Sequence, residues 1–202
     1  MRQTLQHLKR EKVREVFNKV LHDDILTLAP LSIKVSEAFN EDFTNADFSF
    51  EERSREVKKV EIKDSKGKGF IDCLFTGLHN TYVSEYQSLK KVKLTDLTIR
   101  PIRTVGERSL GTDAYARVIF GVEISKFGTA EFHYESRSVI YSGFFAALEA
   151  FQFYINCEKT FNRLQLTLED ARQRNRGDII QRCLYDLSKI TEVNTYDKRK
   201  EV

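Results

Sequence analysis

Four histidines, three cysteines and a spread of carboxylates are the groups of this chain that could do acid–base, nucleophilic or metal chemistry. A nucleophile needs a base within hydrogen-bond reach, and a metal needs ligands at recognisable spacing. His7, His22, His79 and His133 are scattered without such spacing. His133 falls in the alternating run AEFHYES and reads as a structural or exposed strand residue. Cys73, Cys157 and Cys183 form no Cys-x-x-Cys pair and read as reduced, buried thiols. Asp72, at a predicted helix start, reads as a cap or dipole partner rather than a proton acceptor. GKGF at 67–70 lacks the lysine–serine end of a P-loop, and no Gly-x-Gly-x-x-Gly is present. The expectation is a chain with no catalysis of its own, no metal and no cofactor.

What remains is a binding turn. In SLGTDAYARVIFGVEI (109–124) a small-residue turn runs into a strand, and small residues let backbone amides come close to a neighbour. The preceding loop carries Gly106 and Gly111 and is longer than most connections, which marks it as a candidate functional loop.

Helical spacing of Leu5, Leu8, Val13, Val16, Phe17, Val20 and Leu21 predicts a helix from Thr4 to about residue 24, its Lys and Arg on a solvated face. Strands are expected at 31–38, 47–52 and 56–63, with NEDFTNAD and DSKGKG as turns and a short helix over 70–82. The order then repeats: strands at 96–102, 115–124 and 129–135, a hairpin turn at 125–128, and an apolar helix over 139–156 capped from Ser136–Ser138. That last helix is apolar nearly all round and must be buried on more than one side, which favours a subunit interface. The tail is helical over 166–193 with a break at Asn175-Arg176-Gly177-Asp178, an Arg-Gly-Asp triplet that reads as chance.

LFTGL (74–78) lies over FFAAL (144–148), and TNADFSF (44–50) over TDAYARV (112–118), so the chain reads as an internal repeat. Two three-stranded sheets, each with one apolar face, can cover each other or a second chain. The fold class is α+β: two βββα units, 31–83 and 94–157, with an N-terminal helix in 1–30 and a helical extension in 158–202.

The 202 residues suffice for one ordinary domain or two small ones. Thirty-three basic and 30 acidic residues leave a net charge of +3, which argues for neither a nucleic-acid nor an anionic-membrane partner. No apolar run reaches the ~18 residues of a membrane helix. The longest, SGFFAALEAFQFYI, is broken by Glu149 and Gln152. MRQTLQHLKREKVREVF has no apolar region of a signal peptide, so a cytoplasmic location is expected.

The segments LTDLTIRPI, GTDAYARVIFGVEI and AEFHYESRSVIYSGFFAALEA together resemble the C-terminal allosteric, or dimerisation, domain of 2-isopropylmalate synthases and citramalate synthases. KVEIKDSKGKGFIDCLFTGL in the first half is similar to the family's strand, glycine turn and helix opening, and the resemblance covers about residues 31–157. It implies two βββα units about a pseudo-twofold axis in a homodimer. A branched-chain amino acid, leucine or isoleucine, would bind between the units near the dimer interface and inhibit a separate catalytic barrel in branched-chain (leucine) biosynthesis. Gly111, Thr112, Asp113 and Ala114 of the turn, Gly69 and Ile71 at the first helix, and Ser138 and Val139 at the second are the effector-binding residues so implied. Turn amides and helix N-termini suit a carboxylate. Apolar helix residues suit a branched side chain, with about 1–3 kcal/mol separating ligands by one methylene. The chain departs from the pattern at Tyr115-Ala116, at Phe70 in place of a helix-start proline, and in the loop EAFNEDFTNAD with Phe39 and Phe43. The expected function is a non-catalytic regulatory module, stand-alone or serving a catalytic synthase subunit. The alternatives are a dimerisation or protein-interaction domain that has lost its effector, and an enzyme of another kind.

Overall fold

The computed structural model describes residues 2–37, 40–102, 114–124, 128–194 and 196, with side chains from residue 7 onward and not at 124 or 128. Helix α1 (Arg2–Leu21) runs into a 3-10 turn (His22–Asp24). Strands β1 (Thr27–Glu37), β2 (Thr44–Arg53) and β3 (Val57–Gly67) and helix α2 (Phe70–Tyr82) form the first unit. A second 3-10 turn (Gln87–Lys91) leads to β4 (Val92–Pro101), β5 (Ala116–Ile124), β6 (Gly128–Ser136) and α3 (Val139–Gln173), and α4 (Gly177–Thr191) ends the described elements. Each unit is an antiparallel sheet in sequential order, β1-β2-β3 and β4-β5-β6. The α+β repeat expected from the sequence is therefore present.

The helices lie between the sheets. Alternation places Ala46, Phe48 and Phe50 of β2 and Val118, Phe120 and Val122 of β5 on the buried faces. Helix α2 packs on β2 and β3, and α3 on β5 and β6. Each helix also reaches the other unit's sheet. Phe144 of α3 meets Phe48 edge-on at 5.4 Å, and Phe75 of α2 meets Phe120 at 5.6 Å and Phe151 at 5.5 Å. Gly77 sits where a Cβ would come within 2.7 Å of the Phe48 ring and 2.9 Å of Ser65 Oγ, so α2 packs unusually close to its sheet.

The repeat extends to defects. The first strand of each unit carries a one-residue bulge, Leu31 between Pro30 and Ser32 and Thr95 between Leu94 and Asp96. A serine near the end of each third strand pins the first turn of the following helix. Ser65 Oγ donates to the Cys73 carbonyl at 2.7 Å, and Ser136 Oγ pairs with Ser142 Oγ at 2.7 Å.

Several boundaries expected from the sequence are corrected. Strand β1 starts at Thr27 and contains Pro30, which an edge strand tolerates beside a bulge. TNAD belongs to β2 rather than to a turn. DSKG continues β3 through a bulge, where Asp64 takes φ 52° and donates its N–H to Asp47 Oδ1 at 2.9 Å. Strand β4 begins at Val92, four residues before the expected start. The helix expected to end at residue 156 continues to Gln173. Of the hairpin turn expected at 125–128, residues 125–127 lie outside the described residues and Gly128 already belongs to β6.

The all-apolar stretch of α3 is covered within one chain. Phe153 packs on Phe17 of α1 at 5.6 Å and on Phe132 of β6 at 5.8 Å, and Tyr154 on Phe132 at 5.8 Å. These contacts bury that stretch of the helix inside the chain, while Ile140 and Tyr141 at its start stay exposed.

Candidate functional site

Two helix starts define the candidate site. Gly69 is the N-cap of α2, extended and with no capping side chain. Asp72 closes the turn instead, accepting the Lys68 N–H at 2.9 Å, which is the capping role its position suggested. Ser138 caps α3, its Oγ accepting the Tyr141 N–H at 3.2 Å. Ser136 Oγ donates to the Ser138 carbonyl at 2.8 Å and fixes the approach to the helix.

The two starts meet at Gly143. A Cβ there would lie 2.9 Å from Ile71 Cδ1 and 3.0 Å from Phe70 Cε2, so α2 seats its first apolar residues against α3 one turn beyond Val139. Ile71 is buried, and Gly69 and Val139 are half-buried. The described end of the small-residue turn arrives beside them: Ala116 pairs with Ser136, and the Arg137 guanidinium lies 5.4 Å over the Tyr115 ring. Ala114 is half-buried, and the Tyr115 carbonyl accepts the Ile102 N–H at 2.7 Å. Of the residues singled out from the sequence, Ile71 meets α3 at Gly143, one turn from Ser138 and Val139; Gly69 precedes Ile71 at the start of α2, and Ala114 lies two residues before the Ala116–Ser136 pair. Gly111, Thr112 and Asp113 lie outside the described residues.

The junction is aromatic on its outer side. Tyr134 stacks on Phe145 at 3.9 Å and meets Tyr141 edge-on at 5.8 Å, while Tyr115, Ile140 and Tyr141 are exposed. On the inner face of the second sheet, Leu97 pairs with Phe120 and Ile99 with Val118, so the four share a face. Phe120 and Val118 are fully buried, yet Leu97 and Ile99 are 43% and 46% exposed.

Among the described residues no three His, Cys, Asp or Glu side chains cluster as a metal site. All three thiols are pushed above the usual cysteine range, chiefly by burial, and are protonated at neutral pH rather than poised as nucleophiles. Cys73 Sγ donates to the Thr44 carbonyl at 3.1 Å. Burial, with a 2.8 Å hydrogen bond to Glu52, drives the Tyr82 phenol well above its ordinary value. No described helix is long and apolar enough to cross a membrane.

A second feature escaped the sequence reading. Gln152 and Asn156, one turn apart on α3, bind the start of β1. Gln152 Oε1 accepts the Leu28 N–H at 2.8 Å. Asn156 Oδ1 accepts the Leu26 N–H at 2.9 Å, and its Nδ2 donates to the Leu26 carbonyl at 2.8 Å. One turn before Gln152, Glu149 accepts from Arg14 of α1 at 2.6 Å. These groups border a cavity of about 430 Å³ between α1, β1 and α3. The available signal was polar residues at helical spacing inside an otherwise apolar helix.

No protein-family model matches the chain, and no curated protein matches it significantly.

Proposed function

We propose that this chain is a non-catalytic regulatory module of the type that ends 2-isopropylmalate and citramalate synthases. In this reading a branched-chain amino acid, leucine or isoleucine, binds between the two units. The supporting observation is the meeting of the two helix starts at Gly143, with the strand that leaves the small-residue turn starting opposite Ser136, just before α3. Backbone N–H groups at the helix starts would take the carboxylate, and Ile71 and Val139 would bound the side chain. The partners in this reading are a second copy of the chain and a separate catalytic synthase subunit. Calorimetry and thermal melting with leucine, isoleucine and valine test it. At a hundredfold excess over Kd a single site adds about 2.7 kcal/mol of stability, which raises the melting temperature by several degrees. Absence of heat and of any melting shift with all three overturns the reading.

A second reading, a dimerisation or protein-interaction domain without an effector, is favoured by one observation. Phe70 and Ile71 of this chain already fill the space beside Gly143, while Leu97 and Ile99 stay uncovered. Light scattering of Leu97→Asp and Ile99→Asp chains distinguishes the two. Loss of a dimer without any amino-acid response in the wild type supports the second.

A further inference from the structure

The cavity between α1, β1 and α3 combines an apolar body with a split pair of charges. Phe17, Phe145 and Phe153 present three aromatic rings, and Ile25 and Leu28 complete the apolar lining. Arg14 and Glu149, on opposite helices, face each other at 2.6 Å and are partly exposed. Glu11, also on α1, holds the other arm of Arg14 at 3.2 Å. Arg10 lies one turn earlier on the same face of α1, its guanidinium 4.5 Å over the Phe132 ring and its Nε buried without an acceptor. The α1 side thus carries the Arg10 and Arg14 guanidiniums with the Glu11 carboxylate, and the α3 side carries the Glu149 carboxylate. The volume of about 430 Å³ lies within the ~300–1,000 Å³ range of small-molecule sites.

We infer that this cavity binds a free α-amino acid with an aromatic side chain. The ligand carboxylate replaces Glu149 on Arg14. The ligand ammonium takes the Glu149 carboxylate so released. The ring enters among Phe17, Phe145 and Phe153, where edge-on contacts are available. A plain carboxylate would leave Glu149 beside a second anion, and a plain amine would leave Arg14 with Glu11 alone, so the ion pair favours a zwitterion. Gln152 and Asn156 stay committed to the β1 backbone and keep the floor rigid. This site is separate from the helix-start junction.

The test is methyl NMR of the full chain with L-phenylalanine, 3-phenylpropionate and 2-phenylethylamine as probes and L-leucine in parallel. Phenylalanine is expected to shift the Ile25 and Leu28 methyls saturably. Arg14→Gln and Glu149→Gln, each checked for an unchanged melting profile, are expected to weaken it at least about tenfold. No shift at millimolar phenylalanine, or equal binding of 3-phenylpropionate, overturns the inference. Shifts that gather at Ile71 and Val139 and survive both substitutions also overturn it, while leaving the regulatory reading intact. Loss of every leucine response with the phenylalanine response retained sinks the regulatory reading and leaves this cavity standing.

Discussion

Replacing Asn156 with alanine tests how the long helix is joined to the first sheet. The side chain is 2% exposed and makes two hydrogen bonds to one residue, Leu26, itself 2% exposed. Alanine removes both bonds and leaves a buried N–H and a buried carbonyl without partners. Each orphaned group costs about 1–3 kcal/mol. The adjoining cavity can admit water to them, which places the total at about 2–4 kcal/mol. For a chain of this length that is a fall of roughly 5–12 °C in melting temperature. Gln152→Ala is the internal control: it removes a single bond, to the Leu28 N–H, from a half-buried side chain, and is expected to cost about 1 kcal/mol. Urea unfolding of the three proteins gives the differences directly. A loss below 1 kcal/mol for Asn156→Ala, or one no greater than for Gln152→Ala, would refute the view that this carboxamide acts as a surrogate strand for β1.

Gly143→Val forces a branched side chain into the 2.9 Å gap beside Ile71 and is expected to cost about 1–3 kcal/mol of stability and to abolish any leucine response measured by calorimetry. Lys19→Met leaves Asp186, 4% exposed and bonded to Lys19 at 2.5 Å, without its cation; chemical denaturation should register a loss of about 1–3 kcal/mol. Burial raises the Cys157 thiol and the Tyr82, Tyr154 and Tyr196 phenols in the folded chain, so their neutral forms are favoured there. Their contribution is complete below the unfolded cysteine value near pH 8.5 and is lost as pH rises above it. The urea midpoint should hold from pH 7 to about 8.5 and then fall; a rise above that range would contradict the assigned burial.

The βββα order, the α+β class and the start and end of α2 followed from the sequence alone. Alternation in AEFHYES and helical spacing in 70–82 are local properties, and one-sided burial writes them directly into residue type. The two helix starts were legible because a glycine turn precedes α2 and Ser138 precedes α3, whereas the approach of Ile71 to Gly143 of α3 was not. Strand extents were less legible. The bulges at Leu31, Asp64 and Thr95 interrupt alternation, so β1 and β4 extended further back, and β3 further on, than their patterns suggested. Tertiary packing alone decided what covers α3. Its apolar circumference pointed outward to a partner, but Phe17, Phe48, Phe75 and Phe132 of four other elements enclose it within one chain. Only the fold could bring Arg14 to Glu149, 135 residues apart, or Asn156 to Leu26. Periodicity records which face of a segment is buried, whereas the identity of the covering element depends on long-range pairing that no local pattern encodes.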